Sequence, residues 1–352
     1  MRFFFPAVAA GLAISAVAGF AQQPPAESLY RVQKTAKVGG EGGFDYVYAD
    51  ADGRRLYVAR SGPAPRVSVF NLDTLEPAGE IPLTNARGAA TDALSHHGFA
   101  SSKPVAMWDT KTLALIKTIP VDGGPDGILG DAFNHRVYIF SHRAPNATVL
   151  DATDGSVLGT IDLGGAPEQA ATDGKGHIYV DIEDKDTVAV VDAKTMKVTA
   201  QYSLNGKGGG NAGLALDVKN HILFVACRNP QAMVMLDAND GKYLGDLPIG
   251  RGCDGAVFNP KTMECFSSQG DGTLTVIKEN NPTSFVVEQN VKTTPGAKTL
   301  TLDGKTGKVL LITAEYGPAP TSLPAATPPA GRGWGGRGPM LPGSFSILVV
   351  GK

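Results

Sequence analysis

The sequence predicts an all-β chain folded as a seven-bladed β-propeller, on three observations. One unit of about 40–45 residues recurs seven times, each copy holds short apolar runs separated by turn residues, and the two ends of the chain carry complementary pieces of one copy. A repeat of that length holding four strands is one propeller blade.

The clearest copy runs from Gly164 to Asp192. A Gly/Pro turn opens it, followed by the small residues of 168–172, a polar turn at 173–176, the strand His177–Val180, a charged loop at 181–186 and the apolar run Thr187–Val191. Runs of this length, rich in Val, Ile and Tyr and bounded by Gly, Asp, Asn and Lys, are strand and turn signals. The position of Glu168 recurs as Asp45, Arg87, Asp126, Ala212, Asp254 and Lys298, and the seven positions lie 42, 39, 42, 44, 42 and 44 residues apart. The next run recurs as Leu56-Tyr57-Val58, Val137-Tyr138-Ile139 and Leu223-Phe224-Val225; its partner recurs as Val67–Phe70, Val105–Trp108, Ala147–Leu150 and Met233–Leu236.

These runs resemble the YVTN family of propeller repeats: LYVAR at 56–60, IYVDI at 178–182, LFVAC at 223–227, VVDAKTMKV at 190–198 and the turns Gly123-Gly124-Pro125 and Gly165-Ala166-Pro167. Over residues 30–352 the chain is similar to exported proteins of the YncE type. The resemblance implies the fold and export; it implies no particular activity, because function resides in sites placed on a fold.

From the N-terminus, residues 1–21 read as a secretory signal peptide, with Arg2, an apolar run from Phe3 to Phe20, a cut after Ala21 and polar Gln22-Gln23-Pro24-Pro25 beyond it. An uncleaved membrane anchor is the alternative. A short linker, 22–29, follows. Residues 30–38 look like the tail of a repeat, matching 115–124, 157–165 and 243–250, whereas the chain stops at FSILVVGK, a third strand with no fourth after it. Residues 30–38 are therefore expected to supply the outer strand of the last blade and close the ring, leaving no open edge. Residues 30–352 then form one domain, with a Pro/Gly-rich insertion at 315–343.

Composition narrows the function classes. Loss of the leader removes Arg2 and no acid, moving the formal charge from −2 to −3, which disfavours phosphate-driven nucleic-acid binding. No later stretch is apolar for long enough to span a bilayer. The two tryptophans, Trp108 and Trp334, are too few for the tryptophan docking motifs expected in each blade of a quinone-dependent propeller dehydrogenase, and there is neither a phosphate-cradling glycine loop nor GxSxG. No cofactor is expected, and the chain is expected to be a monomer.

Chemistry is expected on the face where the first strands begin. The aligned positions Asp45, Arg87, Asp126, Glu168, Ala212, Asp254 and Lys298 form a ring there, and the loops after the second strands add Arg60, Ser102, His142, Glu183, Arg228, Gln269 and Glu315. Around the circle Lys298, Asp45, Arg87 and Asp126 alternate in sign, so one reading is a set of neighbouring ion pairs that hold the blade tips. The other is a funnel for a polar ligand or a cation near Asp126, Glu168 and Asp254, where acids outnumber bases. Ligand-binding candidates are Asp45, Arg87, Asp126, Glu168, Asp254, Lys298, Arg60, His142 and Arg228. His142 is the one histidine placed on this face, and a hydrolase or lyase of lactonase type would use it as general acid or base with Glu183 or Glu315.

His135, His177 and His221 fall in turns of the opposite face, as do His96 and His97. They belong to separate blades and share no metal shell, so no metal site is assigned. Of the three cysteines, Cys227 and Cys253 both approach the ring face, leaving a disulfide between them or three free thiols as the alternatives. Neither CxxC nor CxxCH occurs. In the insertion, Arg332, Trp334 and Arg337 set cations around an aromatic, a candidate partner-binding arm over the ring face. Two functions stay open: an exported module that binds a partner protein, envelope component or small ligand through the ring face, and an enzyme working in the same funnel.

Overall fold

The computed structural model describes Met1 and residues 29–83, 85–318 and 338–352. They form seven four-stranded antiparallel sheets, with one turn of 3-10 helix at Glu183–Lys185 and no α-helix among the described residues. No helix there is long and apolar enough to cross a membrane.

Blade 1 comprises Gly43–Asp50, Arg55–Ser61, Arg66–Asn71 and Pro77–Pro82, from the central channel outward. Blades 2 to 6 repeat this up-and-down order, their inner strands being Ala89–Asp92, Pro125–Asp131, Pro167–Thr172, Asn211–Asp217 and Cys253–Asn259. In blade 7 the inner three strands are Lys298–Leu302, Val309–Thr313 and Ser346–Gly351, and the outer strand is Arg31–Lys37 from the other end of the chain. The register runs from Arg31 opposite Gly351 to Lys37 opposite Ser346. The ring is thus closed by the N-terminal strand, as its repeat-tail sequence predicts. Tyr30 tightens the seam against blade 6: its hydroxyl donates to Glu264 Oε2 at 2.5 Å, and Lys352 pairs with the same carboxylate at 2.8 Å.

The cores lie between blades. Tyr57, Val67 and Val69 of blade 1 meet Ala89, Ala100 and Trp108 of blade 2, and Tyr138, Phe140 and Val149 of blade 3 meet Ile178, Val180 and Val191 of blade 4. Middle strands are consequently apolar on both faces, which is why they read as continuous apolar runs. Third and fourth strands are joined by a repeated Asx turn: the side chains of Asn71, Asp109, Asp151, Asp192 and Asp237 accept backbone N–H bonds two or three residues on.

The face opposite the ring is clasped from blade to blade. His135 Nδ1 lies 2.8 Å from Asp92, the Thr172 hydroxyl donates to Asp131 at 2.8 Å, Asn220 donates to Glu279 at 2.6 Å, and Arg54 grips both oxygens of Asp303 at 2.8 and 2.9 Å. His96, His135 and His221 are turn residues in the left-handed region; His177 instead follows Gly176, which takes that conformation, and bonds Asp173.

The three cysteines are free and buried. Cys227 packs with Val188 and Leu214 between blades 4 and 5, whereas Cys253 packs with Phe224 and Ala256 between blades 5 and 6. The two side chains sit in different inter-blade clusters, so of the two sequence alternatives the free thiols are realised.

Candidate functional site

Each ring residue stands at or beside the start of an inner strand, and the blades bring them around one channel mouth. Arg87 donates to Asp45 at 2.9 Å. Arg228 binds Asp254 at 2.6 Å and also pairs with Glu183, which the short 3-10 turn turns toward it; Lys298 takes the other oxygen of Asp254. The pairing therefore departs from simple alternation. Lys298 goes to Asp254 rather than Asp45, and Asp126 faces His142 rather than Arg87: His142 Nε2 is 3.6 Å from Asp126 Oδ2 and 3.5 Å from Glu168 Oε1.

The mouth is split electrostatically. Two cations saturate Asp254; burial alone would raise its pKa, but Lys298 and Arg228 outweigh burial and hold the carboxyl below its usual value. On the other side, burial and then the charges of Glu183, Asp254 and Asp126 push Glu168 well above the usual carboxylate range. Asp45 is raised to about 6, chiefly by burial, against the pull of Lys298. Five acids (Asp45, Asp126, Glu168, Glu183, Asp254) face three permanent cations (Arg87, Arg228, Lys298), and the imbalance gathers around His142, whose side chain is 39% exposed.

The residues one step below the ring close its floor, and the sequence reading did not single them out. Their column reads Tyr46, Gly88, Gly127, Gln169, Gly213, Gly255 and Thr299. Tyr46 reaches from blade 1 to blade 4, where its hydroxyl donates to Glu168 Oε2 at 3.2 Å. Gln169 reaches from blade 4 to blades 5 and 6: its carbonyl accepts from Leu214 and Ala256 at 3.0 and 2.9 Å, and its amide donates to the Ala256 carbonyl at 2.9 Å. The glycines let the backbones of neighbouring inner strands approach closely around the channel. A Cβ on Gly213 would stand 2.6 Å from the Gly255 backbone, and one on Gly127 2.9 Å from the Glu168 carbonyl. The detectable signal was this glycine column, interrupted by two long polar residues, directly after the charged column.

Four residues expected on this face are engaged elsewhere. Arg60 is 1% exposed: its guanidinium donates to the carbonyls of Glu41, Gly42 and Gly43 and lies 3.9 Å from the Phe345 ring, so it seals blade 1 against blade 7 and offers no charge to a ligand. Ser102 donates to the Pro104 carbonyl, and buried Gln269 serves Thr273 and Thr275. Glu315 pairs with Lys37 at 3.0 Å on the outer strand of blade 7 and does not join His142. The insertion leaves the ring through a two-stranded bridge, Tyr316 opposite Met340, with Gly317 N–H donating to the Pro339 carbonyl at 2.9 Å. Arg332, Trp334 and Arg337 lie outside the described residues.

The result is a polar channel mouth with a saturated basic side and an acid-rich side carrying an imidazole, between which a small charged group could sit. Convergent polar groups with displaced pKa values are a usual mark of a binding site. No protein-family model and no curated protein matches the chain. Among solved structures, a chain in the crystal structure of the mitotic checkpoint complex superposes with a TM-score of 0.70 at 11% identity, covering 86% of this chain and 95% of that one. At that identity the likeness is one of fold, and the chain is a seven-bladed β-propeller.

Proposed function

We propose that this chain is an exported binding module of the YVTN-repeat, YncE-like kind, and that its channel-mouth cup receives a small polar ligand bearing positive charge or several hydrogen-bond donors. One observation carries the reading: Asp126, Glu168 and Glu183 gather around exposed His142 above a closed floor, while the cations of the same mouth are committed to Asp45, Asp254 and Glu183. Such an arrangement costs stability unless something fills it. Native mass spectrometry of the chain purified from the producing cell tests this: an added mass that is absent from Glu168→Gln supports the cup, and a bare chain in both sinks it.

A hydrolase or lyase is the second reading, favoured by His142, a group suited to general acid or base work, standing 3.5 Å from the Glu168 carboxyl. Under that reading His142→Ala abolishes turnover of a lactone substrate and leaves the fold intact. A partner protein is the other occupant of the face, because propellers commonly serve as interaction scaffolds and the insertion rises from this side of blade 7. Export has its own check: the mature chain should begin at Gln22, which N-terminal sequencing reads directly, whereas an intact Met1 would contradict it.

A further inference from the structure

The geometry points to a divalent first-row transition-metal site in the cup, built from His142 Nε2 and one carboxylate oxygen each of Glu168 and Glu183, with Asp126 beside them. The inference deepens the binding reading above and rests on it. The three ligand atoms lie within 4.8 Å of one another. The separations around the imidazole are the informative ones. At 3.5 Å from Glu168 Oε1 and 3.6 Å from Asp126 Oδ2, His142 Nε2 is too far for a good hydrogen bond to either. A tetrahedral ion with bonds of 2.0–2.1 Å sets its ligands about 3.4 Å apart, close to the 3.5 Å between His142 and Glu168.

The surroundings fit a resident cation. Tyr46 holds the second oxygen of Glu168 from across the channel, which leaves Oε1 aimed at His142. Arg228 grips Glu183 through Oε1 and fixes it beside the pocket. Partners of this kind orient metal-binding carboxylates in known sites. A cation would also relieve the crowding of acids on this side of the mouth, where Asp126, Glu168 and Glu183 gather around one imidazole. An imidazole among carboxylates favours Zn²⁺, Fe²⁺ or Mn²⁺ over Ca²⁺ and Mg²⁺, which prefer oxygen donors alone. The ligands come from loops and inner strands of blades 3 and 4, so the ion would tie two blades together at the mouth and would itself be the positive charge the cup receives.

Isothermal titration of the full chain, purified without a histidine tag and stripped with chelator, against ZnCl₂ and then MnCl₂ tests the inference. One ion per chain is expected. His142→Ala and Glu168→Gln should each weaken binding roughly 100-fold and Tyr46→Phe about 10-fold, with His177→Ala on the opposite face unchanged. No saturable uptake by the wild type, or equal uptake by His142→Ala, overturns the metal site. The two readings fail separately. If neither metal binds but mass spectrometry finds an organic ligand that Glu168→Gln loses, the metal falls and the cup stands; if neither metal nor ligand binds, both fall.

Discussion

The two faces of the ring both carry charged side chains and use them differently. On the face opposite the mouth, each acid of the blade-to-blade clasp has a donor: Asp92 has His135, Asp131 has Thr172, and Asp303 has both Arg54 nitrogens. At the channel mouth Asp254 is over-supplied with cations while Asp126 and Glu168 face other acids. The titration behaviour divides in part, since in the clasp burial and the neighbouring Asp217 raise Glu279 to about 7. At Asp303 burial would raise the pKa, but Arg54 and Thr306 outweigh it and hold the carboxyl at about 2, whereas burial raises Asp45 to about 6 and Glu168 further still. One face clasps blade to blade and holds the ring together, although Asp131 Oδ2, Asp217 Oδ2 and Glu279 Oε2 are buried there without a partner. The other is left unsatisfied, as binding sites are when stability yields to function.

The comparison presupposes a closed ring, and the largest effect comes from opening it. Deleting residues 30–38 removes the outer strand of blade 7, exposes the Ser346–Gly351 edge and unseats Tyr30 from Glu264. Cooperative thermal unfolding, followed by circular dichroism, should disappear; a wild-type transition would mean that closure contributes nothing. Next comes the clasp. Asp303 is 3% exposed, so Asp303→Asn takes from Arg54 the more buried of its two carboxylates, Asp73 remaining, and should cost about 2.5 kcal/mol in urea unfolding. The sign in pH follows from the lowered pKa: this stability is fully present above the unfolded value near 4 and is lost as pH falls toward 2. An Asp303→Asn chain as stable as wild type at pH 7 would remove the distinction between the faces.

The floor is expected to respond less. Gly213→Ala sets a Cβ 2.6 Å from the Gly255 backbone, where no side chain can move aside, and should cost about 2 kcal/mol. A neutral result would show that the floor is slack and that Gln169 does not seal it. The smallest stability effect is Tyr46→Phe, which removes one donor from Glu168 and should change the unfolding free energy by about 1 kcal/mol or less.

Much of this architecture was legible in the chain. The 42-residue spacing located the charged column, and the repeat-tail sequence of residues 30–38 identified the closing strand, because strand period and turn chemistry are local properties. The partners within the ring were not legible. Whether Lys298 meets Asp45 or Asp254 depends on how neighbouring inner strands lean, which alternation of sign does not encode. Arg60 looked like a ligand group since it follows a second strand as His142 does; its length lets it fold back onto three carbonyls and Phe345. Cys227 and Cys253 shared a face in sequence register, but Cys227 packs toward blade 4 while Cys253, on the first strand of blade 6, packs into the cluster between blades 5 and 6. Tyr46 and Gln169 act across the channel, over distances no repeat alignment displays.

The claim that the mouth is arranged for a ligand rather than for stability is tested most directly by thermal unfolding of Glu168→Gln beside wild type at pH 7.5. A carboxyl whose pKa is raised in the folded chain stabilises it below the unfolded value, about 4.5, and that contribution is lost as pH climbs through the folded value. The neutral amide escapes the loss, so Glu168→Gln should unfold at a higher Tm than wild type while losing the ligand of the cup. A lower Tm than wild type would show that Glu168 holds the ring together, and the mouth would then be a second clasp.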